Sequence, residues 1–340
     1  MNNKDKSFLD LTEMEISKAI EGLGEQKYRT DQLDDWIYKK HVRSWTDMNN
    51  LPPKFINELD SLFKLHPLTE IGCSGKPSDP AQKFLFETSK KNKIESVLMY
   101  QKKRTTICVS SQSGCAVDCK FCATASMGFK ENLSPGEIVD QFLHLSSRSQ
   151  SRVTNVVFMG MGEPFLNYKN VSLAAEIINK KINLGARKIT ISTAGVVSKI
   201  YKMADDRLPY KLAISLNAPN NTIRKRIMPL TNNNPIEELI KSADYYYSKL
   251  KRFVTFEYVL LNNINDSEKC ATELIDLLKN IPCKLNLIPY NEIGGKFSRP
   301  SNQSIDTFID ILKNAPFTVT VRWSKGTKID AGCGQLAVKN

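Results

Sequence analysis

From about residue 105 the chain keeps returning to one pattern, a short apolar run followed by a stretch with helical spacing. The runs are TTICVS, NVVFMG, KITIST, KLAISL, VTFEYVLL and KLNLIP. Between most of them lie amphipathic segments: PGEIVDQFLHLSSR, VSLAAEIINKK, IEELIKSADYYYSKL and EKCATELIDLLKN. Strands alternating with helices are βα units, and βα units build a parallel sheet. Six of them make most of a TIM-like barrel, whose chemistry sits at the C-terminal strand ends. The first of these helices has a clear start, with Ser134 as N-cap, Pro135 in the first turn and Glu137 three residues after the cap.

The remainder of the chain reads differently. Residues 1–75 look helical: LTEMEISKAIEGLG and YRTDQLDDWIYKKHV carry near-helical apolar spacing, and Pro52 and Pro53 break the pattern. Residues 76–104 contain KFLFETSKKNKIESVLMY, two strands around a polar turn. The expected organisation is therefore a small helical accessory module at 1–75 that binds RNA, a β-hairpin linker at 76–104 and an α/β barrel at 105–340. A length of 340 residues agrees with one large domain and a smaller one.

Cys108, Cys115, Cys119 and Cys122 crowd into fifteen residues directly after the first barrel strand, at the mouth of such a barrel. The last three are spaced C-x3-C-x2-C. They supply three thiolates and leave a fourth position open, whereas structural zinc sites and ordinary four-iron clusters close all four. That suits a [4Fe-4S] cluster with one iron free for a small molecule, shielded by Phe121. A zinc knuckle would need a fourth ligand, for which Cys333 is the available residue. No apolar run is long enough to span a bilayer and the first residues lack a signal-peptide core, so a cytoplasmic protein without a membrane partner is expected. In a reducing compartment clustered cysteines are ligands or redox catalysts rather than structural bridges. The formal charge of +12, from 48 Lys and Arg against 36 Asp and Glu, favours a polyanionic partner such as nucleic acid.

The loop CVSSQSGCAVDCKFCATASMGF resembles the cluster-binding motif of the radical S-adenosylmethionine superfamily. FMGMGEPFLNY, ISTAGVV, AISLNAPN, IRKRIMPL, CKLNLIPYN and IDAGCGQL follow in order. Together they resemble the dual-specificity adenosine-C2 methyltransferases of 23S rRNA and tRNA, over about residue 95 to the C-terminus, and the N-terminal module also fits. The resemblance implies a partial (β/α)6 radical SAM barrel holding the cluster on Cys115, Cys119 and Cys122. It implies two molecules of S-adenosylmethionine per turnover and a flavodoxin- or ferredoxin-like electron donor. The substrates it implies are 23S rRNA and a tRNA anticodon loop, for a chain acting as a monomer.

Carbon 2 of adenine is electron-poor and cannot attack the sulfonium methyl, so a radical route is needed. In the resembled family a 5′-deoxyadenosyl radical activates a methyl already placed on a cysteine. The resulting carbon adds to the base, and a second cysteine releases the product by forming a disulfide. The resemblance makes Cys333 the methyl carrier, Cys108 the resolving thiol and Glu95 the general base for the C2 proton. It places Gly162, Glu163, Ser192, Ser215, Leu216, Asn217 and Asn291 on S-adenosylmethionine. Many relatives carry histidine in place of Asn217, and alanine in place of Gly332. Cys73, Cys270 and Cys283 read as small apolar core residues. Two other functions share some of these features. A C8-specific adenosine methyltransferase conferring antibiotic resistance resembles GMGEALAN where this chain has GMGEPFLNY. A non-catalytic, metal-stabilised RNA-binding protein would leave Cys108, Cys333 and GMGEP without a task.

Overall fold

The computed structural model describes residues 6–338. Three helices open the chain: α1 (Glu13–Gly22), α2 (Arg29–Asp34) and α3 (Pro53–Leu62). Thr12 caps α1 in a reciprocal capping box with Glu15, and a π-turn, Asp35–Lys39, carries α2 onward. The two prolines start α3 rather than merely ending a helix. Pro52 stands at its N-cap and Pro53 at the first helical position, where no N–H is missed.

Ten strands then form one sheet. β1 (Thr69–Ser74), β2 (Ala81–Glu87), β3 (Lys93–Gln101) and β4 (Arg104–Cys108) pair antiparallel in sequence. A separate small hairpin follows, β5 (Gln112–Gly114) with β6 (Phe129–Asn132). β4 continues the large sheet in parallel with β7 (Asn155–Phe158), β8 (Ile189–Thr193), β9 (Lys211–Ser215), β10 (Val254–Leu260), β11 (Cys283–Pro289) and β12 (Thr318–Val321). The six expected parallel strands are present, and β12 adds a seventh. The crossovers carry α4 (Pro135–Arg148), α5 (Tyr168–Lys180), α6 (Val197–Asp205), α7 (Asn221–Ile227), α8 (Ile236–Leu250), α9 (Glu268–Leu278) and α10 (Asn302–Leu312).

Residues 69–74 are a strand, against the helical expectation. TEIGCS has no helical stripe, and pairing with β2 satisfies its backbone. The hairpin of β2 and β3 is part of the barrel sheet, because β3 pairs on with β4. One apolar core runs from Phe8 through the barrel to Leu336. The helical module is held on α4 by buried polar contacts: Asp10 Oδ1 accepts from the Gly136 N–H (2.7 Å), and Asp140 takes His66 Nδ1 (2.5 Å) and the Leu68 N–H (3.0 Å). No helix among the described residues is long and apolar enough to cross a membrane.

Candidate active site

The mouth of the barrel is formed where the parallel strands end. After β4 the chain makes β5 and then the cysteine loop. That loop is tied to its surroundings through its backbone: Lys120 N–H donates to Ile227 O (2.9 Å), Cys122 N–H to Cys119 O (3.0 Å) and Ala123 N–H to Gly334 O (2.7 Å). The last bond joins the cysteine loop to the segment carrying Cys333, more than two hundred residues later. Thr124 Oγ1 adds a bond to Leu336 O (2.6 Å).

Cys115, Cys119 and Cys122 line one cavity with Gly162, Glu163, Ser192, Ser215, Asn217, Asn291, Phe121 and Cys333. All three thiols are free. Burial pushes Cys115 up to about 12 and Cys119 well above its ordinary value, each thiol raising its neighbours further. Three sulfurs packed this way are costly as bare thiolates and fit a cationic iron centre that neutralises them. Among the described residues, no three metal-ligating side chains close on one point as a single-ion site would. A cluster taking one thiolate per iron asks for no such closure. Phe121 is buried beside them, as its shielding role requires.

Glu163 is held firmly. Its Oε1 accepts from the Phe165 N–H (2.9 Å) and Oε2 from the Ala194 N–H (2.6 Å), while its own N–H donates to Gln112 Oε1 (2.7 Å). Burial raises this carboxyl, so it is a site that gains from an incoming cation. Asn291 Nδ2 donates to Ser324 Oγ (2.8 Å) and Cys333 O (3.0 Å), fixing the Cys333 loop. Asn217 lines the cavity, yet its side chain serves the protein: Oδ1 accepts from the Val259 N–H (2.8 Å) and Nδ2 faces Met228 Sδ (3.3 Å). Leu216 is not in the lining. Its side chain is core, its N–H donates to Glu257 O (3.0 Å) and its carbonyl accepts from Arg224 Nε (3.0 Å).

A second cavity lies deeper in the barrel, lined by Cys108 and again by Cys333. Arg322, Met159 and Cys333 line both spaces and so form the partition between them. Burial pushes the Cys108 thiol up to about 12, with Cys333 next among the causes. Glu95 lies in neither cavity. It is buried on β3, paired with Lys83 Nζ (2.9 Å) and pushed up by burial.

Two residues without a role in the sequence reading belong to the site. Arg224, in IRKRIMPL, is fully buried and donates to Ala194 O (2.6 Å), Ser215 O (3.1 Å) and Leu216 O (3.0 Å), so it binds the ends of β8 and β9 together. One of three basic residues in the short helix NTIRKRI, it gave no local signal that set it apart from Lys225 and Arg226. Arg322 touches Cys333 Sγ at 2.6 Å, and nothing local in TVTVRWSKG announces that. Cys270 and Cys283 are buried as expected, but Cys73 is exposed because β1 is the sheet's edge.

Residues 109–275 match the family model for the radical SAM superfamily, and residues 6–65 match that for the ribosomal RNA large subunit methyltransferase N-terminal domain. A protein of Dictyoglomus thermophilum named "Probable dual-specificity RNA methyltransferase RlmN" is 44% identical over 95% of this chain and 94% of its own. One of the same name from Thermotoga maritima is 40% identical over 98% of each. The crystal structure of a radical SAM methyltransferase from Sphaerobacter thermophilus superposes with a TM-score of 0.95 at 40% identity, covering 98% of this chain and 100% of that one.

Proposed function

The chain belongs to the RlmN-type dual-specificity RNA methyltransferases of the radical SAM superfamily, and from that premise we propose that it methylates C2 of one adenosine in 23S rRNA and one in a tRNA anticodon loop. It uses a [4Fe-4S] cluster and S-adenosylmethionine. The observation that carries the finer reading is the position of Cys333, which lines both the cavity of the three cluster cysteines and the deeper cavity of Cys108.

When bound, the cluster and S-adenosylmethionine supply one-electron chemistry and the methyl group. Cys115, Cys119 and Cys122 would hold the cluster, and Phe121 excludes water from it. Glu163 would accept from the cofactor's ammonium, Gly162 lets the backbone approach, and Ser192, Ser215 and Asn291 frame the rest. Cys333 takes the methyl carbon onto its sulfur, losing its thiol proton to solvent. That sulfur stays bonded to the carbon while the carbon is joined to adenine C2: the methyl would give up one hydrogen atom to the one-electron chemistry the bound cofactor supplies, the C2 hydrogen leaves as a proton to Glu95, and the surplus electron would return to that chemistry. Cys108 then attacks the Cys333 sulfur. The carbon–sulfur bond breaks, its electron pair goes to the carbon, and the carbon takes a proton. The Cys108–Cys333 disulfide is reset by a dithiol reductant. Glu95 serves as base for the C2 proton once the C-terminal segment, whose Ala337 backbone reaches it, moves aside. A flavodoxin- or ferredoxin-like donor, the cytoplasm and a monomeric state complete the reading.

RNA from a strain lacking its own enzyme tests this. Expression of the chain should yield 2-methyladenosine, with labelled methyl passing through the Cys333 peptide. Finding 8-methyladenosine alone would overturn the regiochemistry, and label that never rests on Cys333 would overturn the carrier role.

A further inference from the structure

Sulfur attacks as the thiolate, so a cysteine that accepts a methyl needs its charge stabilised where the donor arrives. A second thiolate nearby would compete for that methyl. The structure treats its two reacting cysteines unequally, and Arg322 stands between them.

Arg322 follows β12, and its N–H donates to Leu287 O at 2.8 Å, extending the ladder with β11. Its guanidinium turns into the barrel. Nη2 donates to Cys333 Sγ at 2.6 Å, and Nη1 lies 3.9 Å from Met159 Sδ, just beyond the end of β7. The ionisable groups that face it are Cys333 from the C-terminal loop, Cys108 from the end of β4 and Glu257 from β10. Glu257 is itself buried and takes an Asn286 amide N–H at 2.7 Å. The cation therefore reaches across the barrel from its last strand and ends on the sulfur that both cavities share.

We propose that Arg322 is a positioning residue for both sulfur steps: its guanidinium, bonded to the Cys333 sulfur, aims that sulfur at the methyl donor and stabilises the charge with which it attacks, and the same cation then serves Cys108 once Cys333 is alkylated. In the first step the Cys333 electron pair forms the new carbon–sulfur bond, and the donor's breaking bond leaves its pair on the sulfonium sulfur, which becomes a neutral thioether. Cys333 is then neutral too, and Arg322 has lost its anion. Cys108, held as a thiol by burial and by the Cys333 charge, is relieved of the second of these. One cation thus supports two thiolates in turn. This rests on the carrier and resolving roles proposed above.

The test is alkylation of Cys333 by iodoacetamide in the full-length, cluster-loaded protein without S-adenosylmethionine, followed by peptide mass spectrometry near neutral pH. Arg322→Met should slow labelling roughly tenfold or more, because the attacking sulfur loses its cation, while Arg322→Lys should retain most of the rate, both at unchanged iron content. Should Arg322→Met lose the cluster, the double variant Arg322→Met with Glu257→Gln, which leaves no buried carboxylate facing a missing cation, reads the same quantity. Labelling as fast without the cation as with it would overturn the proposal. So would equal loss in the Lys and Met variants, which would reduce Arg322 to a shape. A wild-type protein that never methylates Cys333 would instead sink the carrier role and leave the labelling result standing.

Discussion

Gly162 sits at φ +94°, and a Cβ there would fall 2.4 Å from the Gln112 Cβ. Both facts require glycine, so Gly162→Ala should destabilise the protein by more than about 1 kcal/mol in thermal melts and weaken S-adenosylmethionine binding in titration. The reacting cysteines separate by phenotype. Cys333→Ala should acquire no methyl group, whereas Cys108→Ala should accumulate a covalent protein–RNA adduct visible as a shifted band on denaturing gels. Full turnover in either variant would refute its assigned role. Residues whose chemistry is carried by their own type and spacing were legible here: three cysteines in one loop and a carboxylate after MG. Arg322 was not, since its meaning lies in the 2.6 Å to Cys333, and an arginine after a short strand is ordinarily a solvated end. Leu216 shows the converse. Its neighbours Ser215 and Asn217 line the cavity, but just past the end of β9, where Asn217 turns at φ +57°, the side chain of Leu216 is buried in the core.

Among the elements, α4 runs Pro135–Arg148 as its capping signals require, with Ser134 Oγ accepting from the Glu137 N–H (3.1 Å) and Glu137 returning to the Ser134 N–H (3.0 Å). The same hydroxyl donates to Asp10 Oδ2 (3.0 Å), so this cap also joins the helical module to the barrel. Ser134→Ala should therefore cost at least the ~1 kcal/mol of a lost N-cap in urea denaturation, and no effect would show that water replaces both bonds. Arg224 acts one level up, on the ends of β8 and β9. Arg224→Met leaves their carbonyls buried without a donor and should cost on the order of 3 kcal/mol, with S-adenosylmethionine affinity falling alongside. The amphipathic helices α4, α5, α8 and α9 announced themselves, whereas α10 was not among the segments read from the sequence. β12, TVTV, is four residues long and half exposed, so its strand state comes from pairing with β11 rather than from its own pattern. β1 is likewise made by its partner.

For the molecule as a whole, the accessory module is bonded to α4 and shares one apolar core with the barrel. A chain beginning at residue 66 should be insoluble or aggregated on gel filtration, because it loses part of the shared apolar core and bares barrel side chains such as Phe142, against which His41 packs. The basic excess does not lie in that module: residues 1–65 hold ten Lys and Arg against twelve Asp and Glu. The excess of positive charge that favours a polyanionic partner therefore lies in residues 66–340. The alternation of strands and helices and the cysteine spacing already determined a parallel barrel with a cluster loop at its mouth, because periodicity and ligand spacing are local properties. Which groups surround the Cys333 sulfur was decided only by folding. Cys108 and Cys333 lie more than two hundred residues apart, and it is the assembly of the sheet out to β12, with the tail bonded back onto the cysteine loop, that sets both beside one buried cation.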